Sequence, residues 1–223
     1  MATALRSPAG DASGTPLAAL DLYRLFASCF GQPSSERFTW LSGRELHAVL
    51  KELAAELELP RNLPRLGRFP DSAAYEAAYL ALFEVGVPQP PVPLLESAHS
   101  HRAVPQEIVL ECVNFYEVLG LRSSGSAFPA DHLVTQLEFL AAVRYIRESK
   151  TDAEQVADLR RLEAEFLERH LLSWLPAALN KLSALNPPVF PRLLTLLLAH
   201  ARRQFEFIAL PGHETGLVLP TEE

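Results

Sequence analysis

Along almost the whole chain the apolar residues recur three and four positions apart, and nowhere do they alternate for long enough to describe a strand. That spacing is the repeat of a helix with one buried side. A chain built this way can hide its apolar stripes only by laying helix against helix. The expected fold class is therefore all-α, a single-domain bundle of about seven to ten helices. The bundle is expected over residues 17–210, with a loose tail at 1–16 and another at 211–223. With 223 residues, 48% of them hydrophobic, there is enough apolar side chain for one large core.

The punctuation between stripes predicts the helices. The first is expected from about Leu17 to Phe30, stopped by Gly31 and Pro33. A second starts at Ser42, whose hydroxyl and the carboxylate of Glu45 fit a capping box, and ends before Pro60. A third follows Asp71 and carries Tyr75, Tyr79, Leu82 and Phe83 as an aromatic stripe. Four prolines in six positions, at 88, 90, 91 and 93, then fix a stiff extended loop. Helix resumes at Pro105 and stops at Gly120, and a flexible link at 121–127 leads to a helix over Asp131 to Ser149. Thr151 with Glu154 suggests a further capping box for a charged helix reaching Arg169. A short helix from Pro176 to Leu185 and a last one after Pro187 and Pro188, ending near Leu210, complete the reading.

Charge narrows the partners. The formal net charge of −7 disfavours nucleic acid or an anionic membrane surface. Between Phe69 and Leu121 seven acids (Asp71, Glu76, Glu84, Glu96, Glu107, Glu111 and Glu117) face one base, Arg102, which fits either a cationic partner or a solvated acidic face. Two cysteines, Cys29 and Cys112, sit in apolar surroundings without the spacing of a redox or zinc motif and read as buried thiols of a reducing compartment. The first sixteen residues lack an apolar core of signal-peptide length, and the run at 193–199 is too short to span a bilayer. The expected location is the cytoplasm, without stable membrane insertion.

Catalytic signatures are scarce. No Gly-x-Ser-x-Gly elbow and no Gly-rich phosphate loop occurs. His99 and His101 flank a single residue, and other histidines stand at 132, 170 and 200, but none are paired at the His-x-x-x-His spacing of a zinc helix, so no metal or cofactor is expected. The stretch FPADHLVTQLEFL, residues 128–140, places Asp131 and His132 ahead of an apolar helix, with Gln136 one turn after His132. Asp131 suits a helix cap; the pair also fits an exposed polar binding spot. The aromatic stripe is either core or, with the acidic window, a trough for a peptide that joins arginines to an apolar run.

Four stretches, LYRLFASCF, YLALFEVGVPQPPVPLLES, PADHLVTQLEFL and HLLSWLPAALNKL, resemble in order those of the TorD/DmsD/NarJ-like chaperones, which mature molybdenum enzymes of the dimethyl sulfoxide reductase superfamily. The middle stretch is most similar to the branch serving periplasmic reductases and dehydrogenases of small molecules. Phe128 and Gln136 depart from the acids that many members carry there. The resemblance implies an all-helical, non-enzymatic chaperone that binds the twin-arginine leader of a molybdoenzyme catalytic subunit until its cofactor is inserted. The peptide-binding residues it implies are Tyr79, Leu82, Phe83, Glu96, Ser97, Asp131, His132 and Gln136. The alternatives are an assembly adaptor that grips the folded redox subunit and ignores its leader, and a helical hydrolase or nucleotide-using protein with Asp131 and His132 in catalysis.

Overall fold

A computed structural model describes residues 21–59, 67–100, 104–121 and 128–209. The tails, the link at 122–127, His101 and Arg102 lie outside these residues. Among the described residues the regular structure is helical, with nine α-helices and one isolated antiparallel bridge between Leu95 and His132. The all-α bundle expected from the apolar period is what forms.

The opening helix, α1 (Leu22–Phe30), begins where the Asp21 carboxylate accepts the Arg24 N–H and ends at Gly31; Leu17, where a start is expected, lies outside the described residues. Ser34 caps a short helix absent from the sequence reading, α2 (Ser35–Leu41). Ser42 closes that helix, its N–H reaching the Phe38 carbonyl while the Gly43 N–H reaches Trp40, so the expected capping box with Glu45 does not form. Instead Gly43 precedes α3 (Arg44–Glu56). Asp71 caps α4 (Ser72–Tyr79) as expected, its carboxylate accepting the Ala74 N–H at 2.8 Å.

Residues 80–84 continue α4 as a single π-helical turn. The exposed loop that follows doubles back at Gly86, where an added Cβ would lie 2.3 Å from the Gln89 carbonyl oxygen. Next comes α5 (Pro105–Val118). It ends in a left-handed Gly120 (φ 68°) whose N–H reaches the Glu117 carbonyl while Leu121 reaches Tyr116, the paired bonds of a Schellman stop.

The centre of the bundle is α6 (Leu133–Glu148), packed on α1 and on α7 (Ala153–Phe166). Asp152, not Thr151, caps α7 by accepting the Glu154 N–H. A π-helical turn at Leu167–Leu171 carries α7 directly into α8 (Leu172–Leu185), so the break expected before Pro176 is absent. Proline forgoes one helical bond there, and burial of Trp174, Leu175 and Ala178 keeps the helix running through it. After a turn at Asn186, α9 (Phe190–Ala209) seals the bundle with Leu193, Leu194, Leu196 and Leu197 fully buried against α8, α7, α1 and α3.

Candidate functional site

The segment 92–100 crosses the start of α6 as a two-residue ribbon. Leu133 donates its N–H to the Leu94 carbonyl at 2.8 Å, and Glu96 donates to the Asp131 carbonyl at 3.0 Å. The Asp131 carboxylate accepts the Ser97 N–H at 3.1 Å. Asp131 is thus not the helix cap expected of it; it fastens the crossing segment. The cap is His132, whose Nδ1 accepts the Val134 N–H at 3.1 Å. That bond fixes the neutral tautomer with the proton on Nε2. Burial pulls the His132 pKa down to about 4, and its ring stacks on Phe128 at 4.1 Å.

Beneath the crossing lies a buried polar knot. The Glu96 carboxylate accepts from Gln136 Nε2 at 2.7 Å and from His170 Nδ1 at 3.0 Å. Cys112 Sγ lies 3.5 Å from His170 Nδ1 and 4.0 Å from Glu96 Oε2. Burial, together with the Glu96 charge, pushes the Cys112 thiol well above its ordinary range. Trp174 Nε1 donates to Gln136 Oε1 at 3.1 Å, which orients the amide so that its NH2 faces Glu96. The Trp174 ring stacks on His99, whose Nε2 bonds the Pro93 carbonyl at 2.7 Å while Lys181 approaches Nδ1. Burial lowers the pKa of His99 too. Tyr116 completes the corner by donating to the Ala130 carbonyl at 2.5 Å. Buried polar groups in this density hold one another in place, because leaving any one unpaired costs about 1–3 kcal/mol.

Five of the eight residues singled out by sequence, Glu96, Ser97, Asp131, His132 and Gln136, therefore meet at one place. The exposed polar corner expected of Asp131 and His132 is not what they form: they are 2% and 4% exposed, and Gln136 and Glu96 are fully buried. The other three, Tyr79, Leu82 and Phe83, belong to a different cluster. Tyr79 is fully buried, donates its hydroxyl to the Phe30 carbonyl at 2.9 Å, and packs with Phe83, whose ring stands 4.9 Å from Phe190. Leu82 is buried beside them and accepts the Val92 N–H through its carbonyl. These positions form core and not the open trough expected, because Phe30, Phe69 and Phe190 complete an aromatic cluster around them.

His170, Cys112, Trp174 and His99 were not joined to the site by sequence reasoning. The one available signal was His170 and Trp174 four apart in an otherwise apolar stretch.

What faces outward instead is one side of α5. Leu110, Asn114 and Val118 recur at helical spacing on its exposed face, the two apolar residues 59% and 67% exposed, with Glu107 and Glu117 beside them. In the loop after α4, Val85 and Val87 are exposed as well, next to Glu84. Of the seven acids of the window, Glu96 is used in the knot and Glu111 is bound by Arg169 at 3.3 Å, while Asp71, Glu76, Glu84, Glu107 and Glu117 are exposed. No helix among the described residues is long and apolar enough to cross a membrane.

Fold and site together define an all-α protein whose polar residues are devoted to fastening a loop to a central helix. Residues 43–180 match the nitrate reductase delta subunit family, and the chain belongs to that family of NarJ/TorD-like chaperones, which are not catalysts. It is 35% identical over 134 residues to the selenate reductase assembly chaperone protein of Thauera selenatis, covering 57% of this chain and 69% of the relative. It is 29% identical over 178 residues to the perchlorate reductase assembly chaperone protein of Dechloromonas aromatica (75% and 79%). To the chlorate reductase assembly chaperone protein of Ideonella dechloratans it is 36% identical over 128 residues (54% and 62%).

Proposed function

We propose that this chain is a cytoplasmic assembly chaperone for the catalytic subunit of a molybdoenzyme of the dimethyl sulfoxide reductase superfamily, binding its twin-arginine leader until cofactor insertion and export. The observation that carries the reading is the family match over residues 43–180, which spans α5, the crossing loop and the buried knot. The three relatives, all named as reductase assembly chaperones, support the class of partner.

In this reading the leader lies on the outer face of α5 and reaches Ser97, which is partly exposed at the end of the crossing loop. Its arginines meet Glu107 and Glu117, and its apolar run meets Leu110 and Val118. Glu96, Asp131, His132 and Gln136 act one layer below, holding the loop in register, while Tyr79, Leu82 and Phe83 support the turn into the Val85–Val87 loop. Several charge-assisted and apolar contacts, each about 1.5–3 kcal/mol before ordering costs, suffice for micromolar binding at about −8 kcal/mol.

Calorimetric titration of a synthetic leader tests this. Lysine in place of its arginine pair, or Leu110→Glu in the chaperone, is expected to weaken binding about tenfold or more, since each removes at least about 1.4 kcal/mol. Unchanged affinity in both would defeat the leader assignment. The burial of the expected trough favours the second reading, an adaptor that grips the folded subunit; its mark is undiminished co-purification with a leaderless partner.

A further inference from the structure

Three side chains far apart in sequence, Glu96 from the crossing loop, Cys112 from α5 and His170 from the π-helical turn before α8, bring one ligand atom each into a space under 4.8 Å across. All three are buried. We propose that Glu96, Cys112 and His170 bind a divalent transition-metal ion of the zinc class, with a fourth position left for water or a partner's ligand.

The geometry is that of a tetrahedral face. Bonds of about 2.0 Å to nitrogen and oxygen and about 2.3 Å to sulfur set ligand atoms roughly 3.3–3.6 Å apart around one ion. Here His170 Nδ1 to Glu96 Oε2 is 3.0 Å, Cys112 Sγ to His170 Nδ1 is 3.5 Å, and Cys112 Sγ to Glu96 Oε2 is 4.0 Å. Shifts of a few tenths of an ångström equalise them. A thiolate, an imidazole and one carboxylate form a mixed, borderline-soft donor set that suits zinc or cobalt and is poor for magnesium or calcium, which ask for oxygen alone.

The surroundings are those a metal histidine needs. The ring nitrogen of His170 that points away from the triad, Nε2, lies 3.8 Å from Glu111 Oε2. When Nδ1 takes the ion, the ring proton moves to Nε2, which has no hydrogen-bond partner among the described residues, and a shift of the Glu111 side chain that closes the 3.8 Å gap gives a carboxylate–histidine–metal relay. Gln136, held by Trp174, keeps its N–H on Glu96 and steadies that ligand. The thiol proton of Cys112 leaves to solvent, so each ion bound releases one proton. Two anionic ligands then balance the two positive charges in a buried place. Glu111 and Arg169 are partly exposed, which puts the site one side chain from the surface.

The test uses the full, untagged chain, freed of metal by a chelator and titrated with Co²⁺ and then Zn²⁺. One equivalent of Co²⁺ is expected to give intense visible bands of four-coordinate cobalt and a thiolate charge-transfer band in the near ultraviolet, both erased by Zn²⁺. Glu111→Gln, a change at the partly exposed relay, is expected to leave the helical circular dichroism intact and weaken Zn²⁺ binding about tenfold or more. Cys112→Ser is expected to abolish the charge-transfer band. Should that variant fail to fold, X-ray absorption of the wild-type zinc form decides, one sulfur at about 2.3 Å with lighter ligands being the expected shell. A cobalt spectrum without charge transfer, a band that survives Cys112→Ser, or a zinc shell lacking sulfur would overturn the site.

Discussion

Asp131 and Tyr79 show how a residue chosen for binding can be committed to architecture. The Asp131 carboxylate satisfies a loop N–H at a place nearly closed to water. Asp131→Ala should therefore cost about 1–3 kcal/mol in urea unfolding through the stranded Ser97 amide. Tyr79→Phe removes only the hydroxyl that reaches the Phe30 carbonyl and should cost about 1 kcal/mol of stability with leader affinity unchanged. A fall in affinity for Tyr79→Phe at unchanged stability would instead make Tyr79 a contact residue. Sequence singled out both residues. It placed them at an exposed corner and an open trough, and both are buried, because a carboxylate before a helix and an aromatic stripe look the same whether the next layer of protein or a partner covers them.

At the scale of helices the stop signals were the most legible feature. Gly31, Gly120 and Pro105 stand where the sequence reading places them: Gly120 through its left-handed φ and Pro105 through its missing N–H, while Gly31 is extended and has the Arg37 guanidinium against its α-carbon. Gly120 has open space around its α-carbon and a φ of 68°, so Gly120→Ala meets no clash and pays only the left-handed conformation. We expect a loss of about 1 kcal/mol, read from the urea midpoint, with peptide binding on the outer face of α5 retained. The caps expected at Ser42 and Thr151 each lie one position early: Gly43 opens α3 without a side-chain cap bond, and at α7 the Asp152 carboxylate takes the Glu154 amide that the Thr151 hydroxyl competes for. Pro176 was read as a helix start for a similar reason. Its local preference is real, but the buried side chains around it outweigh the bond it forgoes.

Across the whole molecule the buried histidines set the response to acid. Burial lowers the pKa of His132 and of His200 to about 4, and Arg144 and Arg203 add to the effect at His200, whose ring packs on Tyr23. Both rings stay neutral in the folded chain and take up protons in the unfolded chain below about pH 6.5. Their contribution, on the order of 3 kcal/mol each, is therefore complete above about pH 6.5 and is lost as the pH falls toward 4. Glu163, pushed up by burial despite Arg147, works in the opposite sense over the acid range. The net expectation is a urea midpoint that falls from pH 7 to pH 5, with a shallower fall in His200→Leu. A midpoint constant across that range would show that these rings titrate as they do in water.

The sequence by itself determined that the chain is a helical bundle, where most helices stop, and which family it resembles, because periodicity, glycine, proline and short motifs act through contacts within a few residues. The tertiary structure alone decided which of the marked residues are inside. Glu96, Cys112, Gln136 and His170 come from four separate segments, and only the packing of the crossing loop and α5 against α6 and α8 turns them into one knot. Exposure depends on the sum of all neighbours, a quantity no local pattern encodes, which is why the outer face of α5 came into view only once the bundle was assembled.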